Sequence, residues 1–185
     1  MTDVPLRGRL LIAAPPLVDS NFDRTVVFLL EHGDEGALGL VLNRPGDKEV
    51  ADALPEWSVF ASEPAVVFLG GPVSAEAVIA LARSDEATER DGWIPIVPGV
   101  GTVDLARAPG DIEVTIDGMR VFVGYAGWAP GQLEGELEHG AWFVADFHIE
   151  DAFHHDPTAL WRTVLRRQRG HLKMFANCPD DPTTN

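Results

Sequence analysis

The stretch VFVGYAGWAPGQLEGELEHGAWF, residues 121–143, places five glycines, two tryptophans and one tyrosine within 23 residues. Glycine adopts backbone conformations that a Cβ atom forbids, and it lets another main chain approach closely. The pattern predicts that a strand bends here and turns into a short helix after Pro130, with Tyr125, Trp128 and Trp142 filling the space around it. We therefore predict that this stretch is the architectural centre of the fold.

Apolar runs of strand length dominate the remainder of the chain. They fall at residues 7–14, 24–30, 37–43, 65–74 and 141–147. Because short polar connections join the first three runs, an antiparallel meander is expected there. Asp117-Gly118 lies between two alternating runs and predicts a β-hairpin. The run SAEAVIALARS, residues 74–84, fits either a helix or a strand, because alanine favours a helix and the Val78-Ile79 pair does not decide.

Helical signals are fewer, and the strongest covers residues 156–170. Asp156 suits the N-cap, Pro157 suits the first turn, and Gly170 suits the end of the helix. The spacing predicts one apolar stripe that consists of Leu160, Trp161, Val164 and Leu165.

A shorter helix is predicted at residues 130–140, with Leu133 and Leu137 buried. Strands outnumber helices and the helices are interspersed among them, which indicates an α+β fold. A chain of 185 residues has the usual length of one domain. We predict a single domain over residues 1–175, followed by a polar C-terminal tail at residues 176–185.

The formal net charge is −15, from 14 Lys and Arg against 29 Asp and Glu. Nucleic-acid affinity comes mostly from neutralisation of phosphates by Lys and Arg, so direct nucleic-acid binding is not expected. One local exception is a basic cluster, which is either a small basic patch or a set of side chains that complements a helix dipole. It consists of Arg162, Arg166, Arg167, Arg169 and Lys173.

The longest apolar runs are much shorter than a membrane span, and the N-terminal apolar patch is too short for a signal peptide. Cys178 is the single cysteine of the sequence and cannot form an internal disulfide. These features predict a cytoplasmic protein without a membrane partner.

Three segments together resemble the signatures of the bacterial YqgE/AlgH family. They are residues 8–45, GRLLIAAPPLVDSNFDRTVVFLLEHGDEGALGLVLNRP, residues 68–74, FLGGPVS, and residues 124–143, GYAGWAPGQLEGELEHGAWF. The resemblance runs from about Arg7 to Gly170. It implies an α+β fold in which a mainly antiparallel, bifurcated sheet folds into a pseudo-barrel with a few flanking helices.

The resemblance carries little functional information, because the activity of that family is largely unassigned and some members are labelled transcriptional regulators. This chain also departs from the family pattern at two places. His154 stands where the family usually has an aspartate, and the polar tail after Gly170 lies outside the pattern.

Residues of the three signatures come from separate loops, which suggests a shared surface groove. In such a groove Arg44 would hold a carboxylate or phosphate, amide side chains would donate and accept, and aromatic rings would form flat walls. The ligand-binding candidates are Asn43, Arg44, Gly70, Gly71, Tyr125, Trp128 and Gln132. A purely structural role for these residues is the favoured alternative, with the glycines making turns, Trp128 in the core and Asn43 capping a loop.

Two clusters of titratable residues are candidates for reactive sites. Residues 146–156, DFHIEDAFHHD, contain potential metal ligands, but His148, His154 and His155 lack the spacing that places ligands on one face. The acidic residues around His32 suit acid–base chemistry or, more typically for an acidic protein, a solvated loop; they are Asp19, Asp23, Glu31 and Asp34. No catalytic residue, metal or cofactor is therefore assigned.

Three functions remain open. The favoured one is a non-enzymatic binding or regulatory module that recognises an unidentified small molecule or protein partner. The second is an enzyme of unknown reaction with a groove around Asn43, Arg44 and Gln132. The third, a direct DNA-binding regulator, is disfavoured by the net charge of −15. The sequence does not specify an oligomeric state.

Overall fold

The computed structural model describes residues 5–15 and 20–179. Within these residues, the strands are β1 (Leu10–Ala13), β2 (Val26–Gly33), β3 (Gly36–Val41), β4 (Pro45–Glu49), β5 (Val66–Leu69), β6 (Val73–Arg83), β7 (Trp93–Val97), β8 (Val100–Val103), β9 (Gly118–Trp128) and β10 (Trp142–Ala145). The α-helices are α1 (Val50–Ala53), α2 (Gln132–Glu138), α3 (Ile149–Ala152) and α4 (Leu160–Arg166). Short 3-10 helices lie at Pro55–Phe60, Pro109–Asp111, Pro157–Ala159 and Gly170–Asn177.

One mostly antiparallel sheet, curled into a half-barrel, organises the molecule. Its strand order is β10-β1-β2-β3-β9-β6-β8-β7, and β4 and β5 branch from this path. The branch begins at β9, where β5 pairs in parallel with the first half and β3 pairs antiparallel with the second half. The α+β class and the bifurcated, mainly antiparallel sheet are thus confirmed, as is the β1-β2-β3 meander.

Three hydrophobic clusters stabilise the sheet. The interior core fills the half-barrel and is closed by α4, which contributes Leu160, Trp161, Val164 and Leu165. A second cluster lies under α2 and contains Leu133 together with Trp128 and Trp142. A third cluster lies on the outer face of β6 and β9, where α1 and the following 3-10 helix contribute Val50 and Trp57.

At Gly124 the alternation of side chains between the two faces of β9 shifts by one residue. Val121 and Val123 face the third cluster and Phe122 faces the interior core. Strict alternation would place Tyr125 on the side of Val123, but Tyr125 packs against the interior core. The positive φ of Gly124, 68°, produces this shift, which accompanies a bulge in β6 between Val73 and Val78.

Three glycine backbones meet at this crossing. A Cβ atom on Gly70 would lie 2.4 Å from the carbonyl oxygen of Gly124, and a Cβ atom on Gly124 would lie 2.4 Å from that of Gly71. A Cβ atom on Gly71 would lie 2.1 Å from the main chain of Tyr125. The main-chain N–H of Gly70 donates to Val123, and its carbonyl accepts from Val41, so this residue joins both branches to β9. The predicted bend at residues 121–143 is therefore a sheet crossing.

Two arginines link distant parts of the half-barrel through backbone carbonyls. Arg7 donates to Leu30 of β2 and to Pro95 and Ile96 of β7. Arg120 is 2% exposed and donates to the carbonyls of Ala152, His154 and Glu63, with its guanidinium 4.4 Å from the ring centroid of Phe68. Burial lowers the pKa of Arg120 to about 10, so the group stays charged at neutral pH.

The predicted hairpin at Asp117-Gly118 is wrong. β9 begins at Gly118, which pairs with Arg83 of β6, and residues 112–117 form no strand. Ile112, Val114 and Ile116 instead pack as an irregular segment onto the third cluster. Apolar and polar residues alternate here because the loop lies on a sheet. Sequence periodicity cannot distinguish such a loop from a strand. The ambiguous run at residues 74–84 forms strand up to Arg83, where the long strand β6 ends.

The predicted helix at residues 156–170 is interrupted. Asp156 accepts from the main-chain N–H of Ala159, as expected of an N-cap, but α4 ends at Arg166. The main-chain N–H of Gln168 donates to Leu165, an i→i+3 bond that tightens the last turn. Gly170, expected to end the helix, begins the next 3-10 helix. In the shorter helix α2, Leu133 is buried as predicted, whereas Leu137 is only partly buried.

The packed chain continues past residue 175, where the polar tail was expected to begin. Ala176 is buried in the interior core, and the ring of Phe175 stacks on Phe143. Arg162 donates to the carbonyls of Ala176 and Cys178. The remainder of the predicted tail, residues 180–185, lies outside the described residues. In the part of the chain that is described, no helix has the length and apolar character needed to cross a bilayer.

Candidate functional site

The seven residues suggested by the sequence lie in two regions. Trp128 pairs with Ala37 at the start of β3, whereas Gly70 accepts from Val41 at the other end of this strand. Four residues of extended strand correspond to about 13 Å. The structure therefore does not bring Gln132, which follows Trp128, to the cavity that contains Gly71 and Arg44.

The polar groups around Trp128 hydrogen-bond to one another in a structural cluster. One oxygen of Glu136 accepts from the indole N–H groups of Trp128 and Trp142, both at 2.8 Å. Its other oxygen accepts from Gln132 at 2.9 Å, and Gln132 in turn accepts from the main-chain N–H of Ala129. Trp128 is 6% exposed and forms an edge contact with Trp142. Glu136 is not among the residues predicted from the sequence, although its position one helical turn after Gln132 indicates that the two side chains can meet.

Asn43 and Tyr125 also have structural positions. The amide oxygen of Asn43 accepts from the main-chain N–H of Val26 at 3.0 Å, and its amide nitrogen donates to the carbonyl of Arg24 at 2.8 Å. Asn43 thus fastens the end of β3 to the start of β2, in agreement with a loop-capping role. Tyr125 is partly buried against the interior core.

Arg44 and Gly71 do line a common cavity of about 190 Å³. The other lining residues are mostly apolar: Asn21, Val41, Leu69, Pro72, Ala75 and Val123. One terminal nitrogen of Arg44, Nη2, donates to the carbonyls of Ser20 and Asp23 at 3.2 and 3.3 Å. These bonds hold the guanidinium in place, while its Nε and Nη1 make no hydrogen bond to any residue that the structure describes.

An exposed apolar row continues from this cavity across three strands. Leu69 of β5 and Val78 of β6 both pair with Val123 of β9, so the three side chains share one face of the sheet. Leu69 is 51% exposed and Val78 is 47% exposed. The third hydrophobic cluster covers this face further along β9, at Val121, and ends at the partly buried Val123, so Leu69 and Val78 are left open to solvent. We call Arg44, Gly71, Leu69, Val78 and Val123 the Arg44 face.

His32 lies at a second cavity, of about 410 Å³, and both of its ring nitrogens have hydrogen-bond partners. Its Nδ1 accepts from the main-chain N–H of Leu6 at 3.1 Å, and Nε2 lies 2.8 Å from Glu134. The accepting Nδ1 requires the neutral tautomer with the proton on Nε2, which donates to Glu134. Hydrogen bonds from the backbone of Glu134 itself and from His32 hold the pKa of this carboxyl below its usual range. Asp19, one of the acidic residues near His32 in the sequence, lies outside the described residues.

A third depression, of about 670 Å³, is open and charged. It follows residues 89–94 and 102–104. Arg107 bridges Asp91 and Asp104 beside it, and Arg90 pairs with Glu86. Arg90 and Arg107 are both paired with carboxylates, and Glu89 adds a further negative charge, so the described lining of the depression offers no free cation comparable with Arg44.

The histidine-rich segment is organised around a buried ion pair. Asp151, almost fully buried, accepts two hydrogen bonds of 2.6 Å from Arg167 and one from the main chain of His148. The rings of His154 and His155 stack at 5.0 Å. Across residues 5–15 and 20–179, no three His, Cys, Asp or Glu residues are grouped as a metal site would require.

The basic cluster is only partly exposed. Arg167 is bound to Asp151, and Arg162 donates to backbone carbonyls near the C-terminus. Arg166, Arg169 and Lys173 remain exposed. The helix that carries the first of them, α4, has only seven residues and buries its apolar side in the interior core. It therefore presents little of the surface that a recognition helix uses.

The fold and the site define a class of α+β protein: a curled, bifurcated antiparallel half-barrel with a glycine crossing and a small cavity beside it. Comparison with known sequences gives the family. The AlgH-like family model matches residues 10–173, and the chain belongs to this family.

Relatives of this family match the chain over nearly its whole length. A UPF0301 protein of Streptomyces coelicolor is 48% identical over 190 residues, covering 100% of this chain and 98% of that protein. One from Mycobacteroides abscessus is 41% identical and covers 96% of this chain and 87% of the relative.

Solved structures show the same architecture. The crystal structure of protein DIP2367 from Corynebacterium diphtheriae has a TM-score of 0.84 at 30% identity, covering 95% of this chain and 94% of that one. The solution structure of the AlgH protein from Pseudomonas aeruginosa, also UPF0301, has a TM-score of 0.66 at 25% identity, with 98% of each chain covered. The family resemblance inferred from the sequence is thus confirmed.

Proposed function

We propose that this protein is a non-enzymatic binding module whose ligand site is the Arg44 face. The single observation that carries the proposal is the junction of a positioned guanidinium with an apolar cavity and an exposed apolar row. Binding sites combine a mostly apolar wall with a few oriented polar groups, and this face has both. Such a module could act in regulation by contact with another protein, without contact to DNA.

The alternative of an enzyme receives less support from the same geometry. Asn43 has both ends of its amide bound to the main chain, and Gln132 is bound to Glu136 far from Arg44. His32 has both ring nitrogens engaged. A reaction would need a nucleophile or a base within hydrogen-bonding reach of the substrate, and the described lining of the Arg44 cavity supplies neither.

The proposal also places the protein in the cytoplasm, because its single cysteine suits a reducing compartment. A direct interaction with DNA is not part of the proposal. The net charge of −15 opposes it, and two members of the basic cluster, Arg162 and Arg167, already have partners within the protein.

The test is a fragment screen on ¹⁵N-labelled protein, read by two-dimensional NMR. We expect shift changes to cluster at the amides of Leu69, Gly71, Val78 and Val123 and at the Nε–H of Arg44. Each fragment should be recovered chemically unchanged after prolonged incubation, as judged by mass spectrometry.

The control is a pair of arginine variants. Arg44→Gln should weaken the binding of anionic fragments, whereas Arg83→Gln, which alters an exposed arginine at the far end of β6, should leave it unchanged. Fragments that cluster at the His32 cavity or at residues 89–94 would contradict the assignment of the site. Conversion of a fragment by the protein would contradict the non-enzymatic assignment.

A further inference from the structure

The charge at the Arg44 face selects the kind of anion. Among the described residues that line the cavity, Arg44 is the one cation and none is acidic. A doubly charged phosphate in an acidic protein is normally held by several cations or by a nest of N–H groups. A singly charged carboxylate suits this site, because one guanidinium supplies a single positive charge and its N–H groups at Nε and Nη1 remain available as donors.

Gly71 adds a second donor to the same cavity. Its main-chain N–H makes no hydrogen bond to any backbone carbonyl of the described residues, although the neighbouring Gly70 N–H is bonded to Val123. A Cβ atom at Gly71 would lie 2.1 Å from the main chain of Tyr125, so only glycine fits at this part of the cavity wall. A carboxylate at Arg44 would therefore meet a charged donor and a backbone donor within one small cavity.

The volume of the cavity limits the group that the carboxylate carries. At about 190 Å³ it is smaller than the usual range of about 300–1,000 Å³ for small-molecule pockets. Its walls include Val41, Leu69, Pro72 and Val123, which match an aliphatic group. The space suits one branched aliphatic side chain and excludes a nucleotide or a large cofactor.

The extent of the apolar row indicates how long a bound ligand would be. Leu69, Val123 and Val78 lie on three adjacent strands, and strands are spaced by about 4.8 Å, so the row extends about 10 Å. An extended peptide advances about 3.3 Å per residue, which makes the row three residues long. A free small acid would fill the cavity and leave this exposed row uncovered.

We propose that the Arg44 face binds the C-terminal carboxylate and apolar last residues of a partner polypeptide, with a branched aliphatic side chain in the cavity. This inference rests on the proposed function and names the ligand of the same site. The carboxylate meets Arg44 and the Gly71 N–H, and the preceding residues lie along Leu69, Val123 and Val78.

The test compares three probes by calorimetric titration: N-acetyl-Val-Ala-Leu with a free carboxylate, the same peptide as its C-terminal amide, and 4-methylpentanoate. We expect the peptide acid to bind about 10- to 100-fold more tightly than the amide, as for the loss of one hydrogen-bonded charge. Arg44→Gln should abolish this difference. Arg83→Gln should preserve it.

A second pair of variants tests the row. Val78→Ser should weaken the peptide acid several-fold and leave 4-methylpentanoate unaffected, whereas Ile94→Ser, at a similarly exposed position on β7, should change neither. Equal affinity of the peptide acid and its amide would overturn the carboxylate assignment. Equal affinity of the peptide acid and 4-methylpentanoate would overturn the polypeptide assignment. If none of the probes bound while fragments still clustered at the Arg44 face, this inference would fail and the proposed function would stand.

Discussion

Substitution of the crossing glycines by alanine should separate the cost of a positive φ from the cost of a steric contact between an added Cβ atom and the backbone. Gly124 has a φ of 68°, and a Cβ atom there would lie 2.4 Å from the backbone oxygen of Gly71. An L-residue at positive φ costs about 1–2 kcal/mol. Overpacking against main chain that cannot move freely costs about 1–3 kcal/mol. We therefore expect Gly124→Ala to lower the free energy of unfolding by about 2–5 kcal/mol.

Three other glycines provide matched controls. Gly70 has the backbone contact without a positive φ, because its Cβ atom would lie 2.4 Å from the oxygen of Gly124. Gly131 has a φ of 75° and no atom within 4 Å of an added Cβ. Gly135, inside α2, has neither feature. Gly70→Ala should cost about 1–3 kcal/mol, Gly131→Ala about 1 kcal/mol, and Gly135→Ala should stabilise by about 0.5–1 kcal/mol.

Urea unfolding followed by tryptophan fluorescence measures these differences, and thermal unfolding provides a second readout. A domain of this length loses about 2–4 °C per kcal/mol, so Gly124→Ala should unfold roughly 4–20 °C below the parent protein. If Gly124→Ala and Gly131→Ala had the same effect, the backbone contact at the crossing would contribute nothing. The structural account of the bifurcation would then be refuted.

Other predictions concern buried polar groups, pH and nucleic acid. Arg120→Met leaves three backbone carbonyls without their donor and should cost about 3 kcal/mol or more by urea unfolding; an unchanged midpoint would contradict the linking role. Glu136→Leu leaves two indole N–H groups without an acceptor and should cost about 2–4 kcal/mol, whereas Glu138→Leu, at an exposed position nearby, should cost little. Hydrogen bonds from Thr88, and then from Arg90, lower the pKa of Glu86 to about 2. The ionised carboxylate therefore contributes fully to the free energy of unfolding above pH 4.5, and this contribution is lost as the pH falls towards 2. A carboxyl NMR titration should show this midpoint, and Glu86→Gln should flatten the pH dependence of stability in that window. Fluorescence anisotropy with a labelled mixed-sequence DNA duplex should show no binding at about 50 or 200 mM salt; salt-sensitive binding would revive the direct DNA regulator.

The parts of the fold that local patterns encode were predictable. The β1-β2-β3 meander follows from three apolar runs with short polar connections, and the cap at Asp156 follows from residue type and position. The hairpin at Asp117-Gly118 failed because residues 112–117 bury alternate side chains without pairing to a neighbouring strand. A loop lying on a sheet and a paired strand show the same alternation of apolar and polar residues. The sequence therefore indicates burial of one face but not hydrogen bonding to a neighbouring strand.

Of the seven residues that the sequence suggested, only Arg44 and Gly71 belong to the proposed site, and the sequence did not indicate which of the seven lie together. Arg44 and Gly71 share a cavity, but Trp128 and Gln132 belong to a separate cluster on the other end of β3. The exposed positions of Leu69 and Val78 carried no signal, because apolar residues in strands are normally buried. Their exposure results from where the third hydrophobic cluster stops covering the sheet.

The sequence by itself determined the class of fold, the family and the acidic character, because each of these depends on composition, local periodicity or residues close together in the chain. Only the tertiary structure decided which glycines are required by contact, where the sheet divides, and which side chains surround Arg44. These properties depend on β3, β5, β6 and β9 meeting at one crossing, although residues 41, 70 and 124 are far apart in sequence. The close backbone approach of these distant segments, with hydrogen bonds of 2.8 and 2.9 Å at Gly70, has no local signature, since glycine serves turns, caps and crossings alike.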